Sequence, residues 1–415
     1  MTHDFLPATQ SELARFLAEN AQGPRRTLSP VGGRTALHFG MAGPPPDVLL
    51  DLREVNRLID YPARDLTITV EAGMRVAQLQ QLLAAEGQTL PVDVSQAERA
   101  TVGGALATNT SGPRRFGCGT FRDCVIGISA VDAHGRLFKA GGRVVKNVAG
   151  YDLCKLLVGS RGTLAVITQA TFKLRPRPET TGCFWFVFEQ YGEVENVLER
   201  LTTSAARPVA IEVLNRPAAE LVVRQARLPL PDQGVVLCVA VEGGHREVAW
   251  QLDVLRKEVV PFGVQQLERL EGAGATSLLD ALIDFPVCAD DPLAFQANLR
   301  PSRCLEFAEY AASVGIAALC HAGNGIVIGQ FPETVASVQR VRALLTTLGD
   351  MARRGDGNLI VLHCDAEWQA ELPMCGMPEP AWPLMVQLKQ QLDPQGLLNP
   401  GVFVDAAARA YNEPR

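Results

Sequence analysis

The sequence predicts an α+β protein of two domains, and three observations carry that prediction. At 415 residues the chain exceeds the size at which a single hydrophobic core keeps growing. Its first 178 residues read as short strands broken by glycine-rich loops. Beyond the proline pair Pro176 and Pro178 the pattern changes to strand–helix–strand units, which suit an antiparallel sheet with helices on one face. With 47% hydrophobic and 20% charged residues the chain is composed like an ordinary globular protein. Thirty-nine Lys and Arg against 45 Asp and Glu, a formal charge of −6, argue against a nucleic-acid surface spread over the molecule.

The N-terminus, MTHDFLPATQSELARFLAEN, lacks the basic start and apolar core of a secretory signal. It reads as an amphipathic helix capped near Ser11, with Leu13, Phe16 and Leu17 on one stripe. TLSPVGGRTALHFG (27–40) is a short strand breaking into a glycine turn, and GPPPD (43–47) leads into the strand VLLDL. TITVEAG (67–73) alternates like a half-buried strand. MRVAQLQQLLAAEG places Val76, Leu79, Leu82 and Leu83 at helical spacing up to Gly87. ATVGGALATNTSGPRRFGCGTFR (100–122) reads as a long glycine-rich loop, and long ordered loops in compact domains are usually functional. CVIGISAVDAHGRLFKAGG (124–142) is a β-hairpin turning at Asp132 to Gly135. VKNVAGYDLCKLLVGSRGTLAVIT (145–168) is punctuated by glycine and alanine; it is either a pair of tight turns or a bed for something flat or anionic. AVITQATFKLRPRP (165–178) closes the domain as a long strand.

In the second domain, expected over 179–380, FWFVF, EVENVLERLTT and PVAIEVL form one strand–helix–strand unit, and GVVLCVAVEG with REVAWQLDVLRKEV begins another. LAFQANL, LEFAEYAASVG, IAALCHAG and GIVIGQF make a third pass before the helix ETVASVQRVRALLTTLGDMARR. A segment over 381–403, a helix followed by DPQGLLNPGVF, is expected to return to the first domain, and 404–415 to be a frayed tail.

Three glycine-rich loops, at 32–33, 103–119 and 159–162, lie in one largely β segment. Cradling a phosphate-bearing cofactor with main-chain N–H groups is the common job of such loops, and a dinucleotide is a natural guest. A Rossmann site is excluded because no G-x-G-x-x-G follows a strand and opens a helix, and no P-loop string occurs. Ten cysteines are scattered without any C-x-x-C, so neither a zinc ribbon nor an iron–sulfur ligand set is written in the chain. They read as buried free thiols of a reducing compartment. No stretch reaches the ~18 apolar residues of a membrane span, and a cytoplasmic location is expected, peripheral to the inner membrane at most through partners.

The runs 100–123 and GGRVVKNVAGYDLCKLLVGSRGTLAVITQATFKLRPRP (141–178) strongly resemble the FAD-binding domain of the vanillyl-alcohol oxidase and p-cresol methylhydroxylase family, the PCMH type. NTSGPRR, KNVAGYDL and LKQQLDPQGLLNPG are most similar to the accessory FAD-binding subunits of bacterial glycolate oxidases. The resemblance is dense over 27–178, thin through the middle and sharp again at 387–403. It implies a first domain, 1–178, of two α/β subdomains binding FAD, and a middle α+β antiparallel-sheet domain capping the flavin. By position, Gly32, Gly33, Arg34 and Thr35 match the pyrophosphate loop, where Arg34 replaces a usual glycine and either meets phosphate or points to solvent. Thr101, Gly103, Gly104, Asn109 and Gly112 match a second loop that approaches the cofactor too closely for Cβ atoms. Gly162, Val166 and Ile167 match the stretch along its other side, and Asn399 matches a C-terminal return to the flavin. Neither of the first two loops has a histidine where some relatives attach flavin covalently, His38 lying several residues beyond, so the FAD is expected to be non-covalent.

The resemblance also implies oxidation of a small 2-hydroxy acid, glycolate or D-lactate, by hydride transfer to flavin N5. Catalytic relatives carry H-x-G-D-G-N-x-H, whose two histidines and a later glutamate bind a metal. Here the string is HAGNGIVI (321–328): His321 is kept, Ile328 stands at the second position, and no metal site is expected. His321 and Arg300 are the candidate catalytic residues, His321 competing with a plain hydrogen-bonded histidine and Arg300, with Arg303, competing with a solvated surface charge. His363 and Cys364, neighbours on a strand, face opposite sides and cannot act as a pair. The partners implied are a homologous FAD subunit and an iron–sulfur subunit, and the alternative function is a non-catalytic, flavin-carrying subunit of such a complex.

Overall fold

The computed structural model describes residues 3–37, 39, 45–142, 152–287, 292–335, 337–369, 371–376 and 379–402. The chain divides into two compact units, Met1–Thr110 with Gly119–Arg177 and Met377–Arg415, and Ser111–Cys118 with Pro178–Gly376. The tail and the KNVAGY string of 146–151 lie outside the described residues, as does His38.

The first unit holds two subdomains. In one, β1 (His3–Phe5), β2 (Leu28–Val31) and β3 (Val48–Asp51) form a parallel sheet of order β1-β3-β2 beside α1 (Gln10–Gln22). The cap of α1 is Thr9, whose side chain accepts from the Glu12 N–H, so the helix starts a little before the expected Ser11. Ser11 sits inside the first turn, and Leu13 and Leu17 are fully buried. In the other subdomain, β4 (Leu58–Asp60), β5 (Thr67–Glu71), β7 (Val125–Val131), β8 (Leu137–Gly141) and β9 (Val166–Lys173) form an antiparallel sheet of order β4-β5-β9-β7-β8. Its helices are α2 (Val76–Ala85), α3 (Val102–Thr108), α5 (Phe121–Cys124) and α6 (Leu153–Leu157), and a two-residue ladder joins β6 (Gln88–Thr89) to β10 (Arg175–Pro176). The stretch expected as a loop at 100–122 is therefore largely helical. Thr101 caps α3 and Thr120 caps α5 with a capping box, and Val102, Ala105 and Leu106 bury at helical spacing, outweighing the weak helix propensity of Gly103 and Gly104.

The second unit contains an antiparallel sheet of order β14-β11-β13-β12-β16-β17-β15-β18. Its first half runs β11 (Thr180–Phe188), α7 (Tyr191–Leu201), β12 (Ala210–Leu214), α8 (Arg216–Ala226), β13 (Val235–Gly243), α9 (His245–Val259) and β14 (Gln266–Glu271). After α10 (Ala273–Asp284) the second half runs β15 (Leu293–Asn298), α11 (Cys304–Ser313), β16 (Ala317–His321), β17 (Ile326–Gln330), α12 (Val338–Arg354) and β18 (Asn358–Cys364). Each half has the strand order of a ferredoxin-like βαββαβ unit. The halves join through one antiparallel seam, β12 on β16, which pairs Glu212 with His321, Val213 with Cys320 and Leu214 with Leu319. The short helix α4 (Arg115–Cys118) also belongs to this unit. The Gly117 N–H donates to Val209 O at 3.0 Å, the Arg114 Nε to Glu242 Oε1 at 2.7 Å, and the Phe116 ring sits where any side chain at Gly323 would be. Among the described residues no helix is long and apolar enough to cross a membrane. The last helix, α13 (Trp382–Leu392), belongs to the first unit.

Candidate functional site

The loop after β2 is tight because it leans on the loop before α3. A Cβ at Gly32 would lie 2.0 Å from Thr101 Oγ1, and one at Gly33 would lie 1.8 Å from the Arg99 carbonyl oxygen. Both glycines are therefore required by the protein's own packing. Among the described residues, the N–H groups of Gly32, Gly33, Arg34 and Thr35 have no protein acceptor. With Arg34 in the left-handed region at φ 56°, this run of successive free amides has the make-up of an anion-binding turn. The Arg34 guanidinium is partly exposed. It turns to Asp4 at 3.2 Å and to Asp51 at 3.5 Å. Asp51 is fully buried and also takes Arg53 at 2.7 Å. Burial pushes its carboxyl up, but hydrogen bonds from Arg53 and the charges of Arg53 and Arg34 together hold it below the usual range.

Around α3 the second and third loops meet. Gly103 packs on Ala72, at 2.7 Å from where its Cβ would lie, whereas Gly104 is exposed. Asn109 ends α3 in the left-handed region at φ 51°. The Gly159 and Arg161 N–H groups donate to Leu106 O and Ala107 O at 2.9 and 2.7 Å. Asn109 Oδ1 and Ser160 Oγ are both buried without a hydrogen-bond partner among the described residues, an arrangement that is costly unless a ligand or water completes it. Val166 and Ile167 point into the cores of the two subdomains, so only their main chain is open to a cofactor. Gly112 belongs to the second unit.

The C-terminal return reaches the same loops. Leu28 N–H donates to Leu397 O at 2.7 Å and Asn399 N–H to Leu28 O at 2.8 Å, placing the segment beside β2. Asn399 Nδ2 donates to Arg161 O at 2.7 Å and lies 3.0 Å from where a Cβ at Gly162 would be. A row of free amides, two orphaned polar side chains and three converging loops fit a phosphate-bearing cofactor such as FAD.

In the second unit His321 ends β16, with Nδ1 2.7 Å from Glu212 Oε2 and both side chains buried. Sequence reasoning missed Glu212; its signal is a lone carboxylate in the apolar strand AIEVL. Around the pair the thiols are neutral: burial and the nearby Glu212 charge push Cys304 up to about 12, and burial likewise raises Cys320. Ile328 is buried on β17 opposite Leu319 and Gln296. Arg300 is exposed and ion-paired with Asp356, and Arg303 with Glu306 at 2.9 Å. Cys364 is buried and His363 half-buried on β18. Among the described residues no group of three or more His, Cys, Asp or Glu side chains is arranged to hold a metal ion.

Comparison with known proteins agrees with this geometry. The FAD binding domain family matches residues 2–141, and the C-terminal domain of FAD linked oxidases matches 331–403. The chain is 26% identical to glycolate oxidase subunit GlcD of Bacillus subtilis, over 97% of this chain and 89% of that one. It is 27% identical to glycolate oxidase subunit GlcE of Escherichia coli, over 85% of this chain and 86% of that one. A D-lactate dehydrogenase of Archaeoglobus fulgidus is 34% identical over 46% of this chain and 42% of its own. Among solved structures, alkyldihydroxyacetonephosphate synthase has the same fold, with a TM-score of 0.68 at 18% identity, covering 96% of this chain and 75% of that one.

Proposed function

We propose that this FAD-linked oxidoreductase, whose residues 2–141 and 331–403 match the FAD binding domain and the C-terminal domain of FAD linked oxidases, acts on a small 2-hydroxy acid, glycolate or D-lactate, converting it to the 2-oxo acid. The observation that carries the FAD half of this reading is the row of free amides at Gly32 to Thr35 beside the orphaned Asn109 and Ser160 oxygens. The names of the relatives support the substrate half. When bound, FAD supplies the two-electron acceptor for the carbon bearing the substrate hydroxyl. The chain's own residues hold it: the amides of 32–35 at its phosphates, with Asn109, Ser160 and Asn399 offering polar side-chain atoms. His321 is the residue proposed to take the hydroxyl proton. Glu212 accepts from Nδ1–H, which leaves Nε2 as the proton-accepting atom. Arg300, held by Asp356 at the surface, is the weaker candidate for meeting a substrate carboxylate.

One observation favours a second reading. Ile328 stands buried where catalytic relatives have a histidine. On that reading the chain carries flavin within an assembly containing a homologous, catalytic FAD subunit and an iron–sulfur subunit, and does no substrate chemistry itself. The deciding experiment is an anaerobic absorbance titration of the purified holoprotein with glycolate and then D-lactate. Bleaching of the flavin bands by either acid supports autonomous oxidation. An oxidised spectrum that persists with both would refute it and leave the accessory role, to be tested by co-purification with the two subunits.

A further inference from the structure

Lys389 is a buried cation in the first unit, and the proposed chemistry makes no use of it. Its side chain is 4% exposed, and its Nζ donates to Thr163 O at 2.9 Å, Leu398 O at 2.7 Å and Asp393 Oδ2 at 2.6 Å. An ammonium has three donors, so this one is fully used. Asp393 in turn accepts the N–H groups of Leu397 at 2.9 Å and Leu398 at 2.7 Å. Helix α13, the NPG turn and the loop at 163 are thus tied to one charge.

The tie has two ends, and both are cofactor loops. On one side Leu397 and Asn399 bracket Leu28 of β2, the strand that runs directly into the free amides of 32–35. On the other, Lys389 grips Thr163 while Asn399 grips Arg161, on either side of Gly162. Leu398 between them is fully buried in the core of the first subdomain. We infer that docking of the 389–399 segment and binding of FAD are one linked equilibrium, with Lys389 as its positioning residue. Linkage is reciprocal: a cofactor that needs both loops in place holds the segment down, and a docked segment raises the affinity for the cofactor by the same factor. Lys389 has no role in the redox step. It fixes the separation of two loops, at 32–35 and 161–163, through a segment near the C-terminal end of the chain.

The test uses the full chain. In Lys389→Met/Asp393→Asn both charges go and the side-chain sizes stay close, so no lone buried charge remains to unfold the protein. Apoprotein is titrated with FAD by flavin fluorescence, with far-UV circular dichroism as the folding control. The dissociation constant is expected to rise tenfold or more in a folded variant. In parallel, hydrogen exchange of wild-type apoprotein is followed with and without FAD, and protection is expected to rise together in 159–163 and 397–399. A folded variant that binds FAD within twofold of wild type overturns the inference. So does protection by FAD at 159–163 with no change at 397–399, and because that measurement uses wild-type protein it decides the matter even if the variant does not fold.

Discussion

Two glycines in the cofactor loops separate what the protein requires from what the ligand requires. At Gly33 an added Cβ would sit 1.8 Å from the Arg99 carbonyl oxygen, a main-chain atom. Ordinary contact needs roughly 3.3 Å or more, so Gly33→Ala must push one loop back by about 1.5 Å, and such overpacking costs about 1–3 kcal/mol. Apoprotein stability and FAD affinity should both fall, the affinity by roughly 5- to 150-fold if the whole cost appears in binding. At Gly104 an added Cβ meets only Thr101 Oγ1, at 3.2 Å, and the residue is exposed. Gly104→Ala should leave apoprotein stability unchanged or raise it by up to about 1 kcal/mol, because alanine is the better helix former in α3. If FAD approaches that bare face, the same substitution lowers FAD affinity. Thermal melting of the two apoproteins and fluorescence titration with FAD read both quantities. Wild-type affinity in Gly104→Ala would refute the approach of the cofactor to α3, and wild-type melting of Gly33→Ala would refute the packing argument for the first loop.

Two further outcomes follow from buried titratable groups. Asp51 has a depressed carboxyl pKa, chiefly through Arg53 against the upward push of burial. Its contribution to stability is therefore complete above the unfolded value of about 3.9 and is lost as pH falls through the lower folded value. Melting temperature against pH should drop less steeply below about pH 4 in Asp51→Asn than in wild type; parallel curves would contradict the assignment. Cys304, pushed up to about 12, and the buried Cys183, Cys238 and Cys320 should resist iodoacetamide in the native protein at pH 8 and react in urea, as mass spectrometry would show. Rapid native labelling of Cys320 would mean that the seam between the two halves of the second unit opens.

The elements of the fold were legible where one rule sufficed. Alternation located β5, and 3.6-residue periodicity located α2, since one face of each is buried whatever the rest of the chain does. The stretch 100–122 misled because glycine marks both loops and close approaches. Its caps at Thr101 and Thr120 and the buried triplet Val102, Ala105 and Leu106 were available signals, but propensity alone weighed against helix. Arg34 was legible only as an oddity. Its turn to Asp4 and Asp51 joins residues thirty and seventeen positions away in the chain, and no local pattern encodes such a partner. Glu212 and Lys389 were hidden for the same reason: Glu212 meets His321, and Lys389 meets the Thr163 carbonyl, only across more than a hundred residues of chain.

The positions where sequence pattern failed share a physical feature, and it bears on how the cofactor site is built. Asp51, Lys389 and Asp393 are buried charges, and Asp51 through Arg34 and Lys389 through Thr163 hold a cofactor loop from behind. A buried ion pair is a poor source of net stability compared with an apolar packing of similar volume, yet breaking it is costly. Such pairs make a loop's position all-or-none, because a partly displaced loop strands a charge. The loops at 32–35 and 161–163 cannot be held by large side chains, since their glycines are fixed by close approach to Thr101, Arg99 and Asn399. Main-chain carbonyls and a few buried charges are the anchors left to them, and Lys389, which takes two of those carbonyls with one ammonium, holds the two loops in register through a segment that begins more than two hundred residues after the nearer of them.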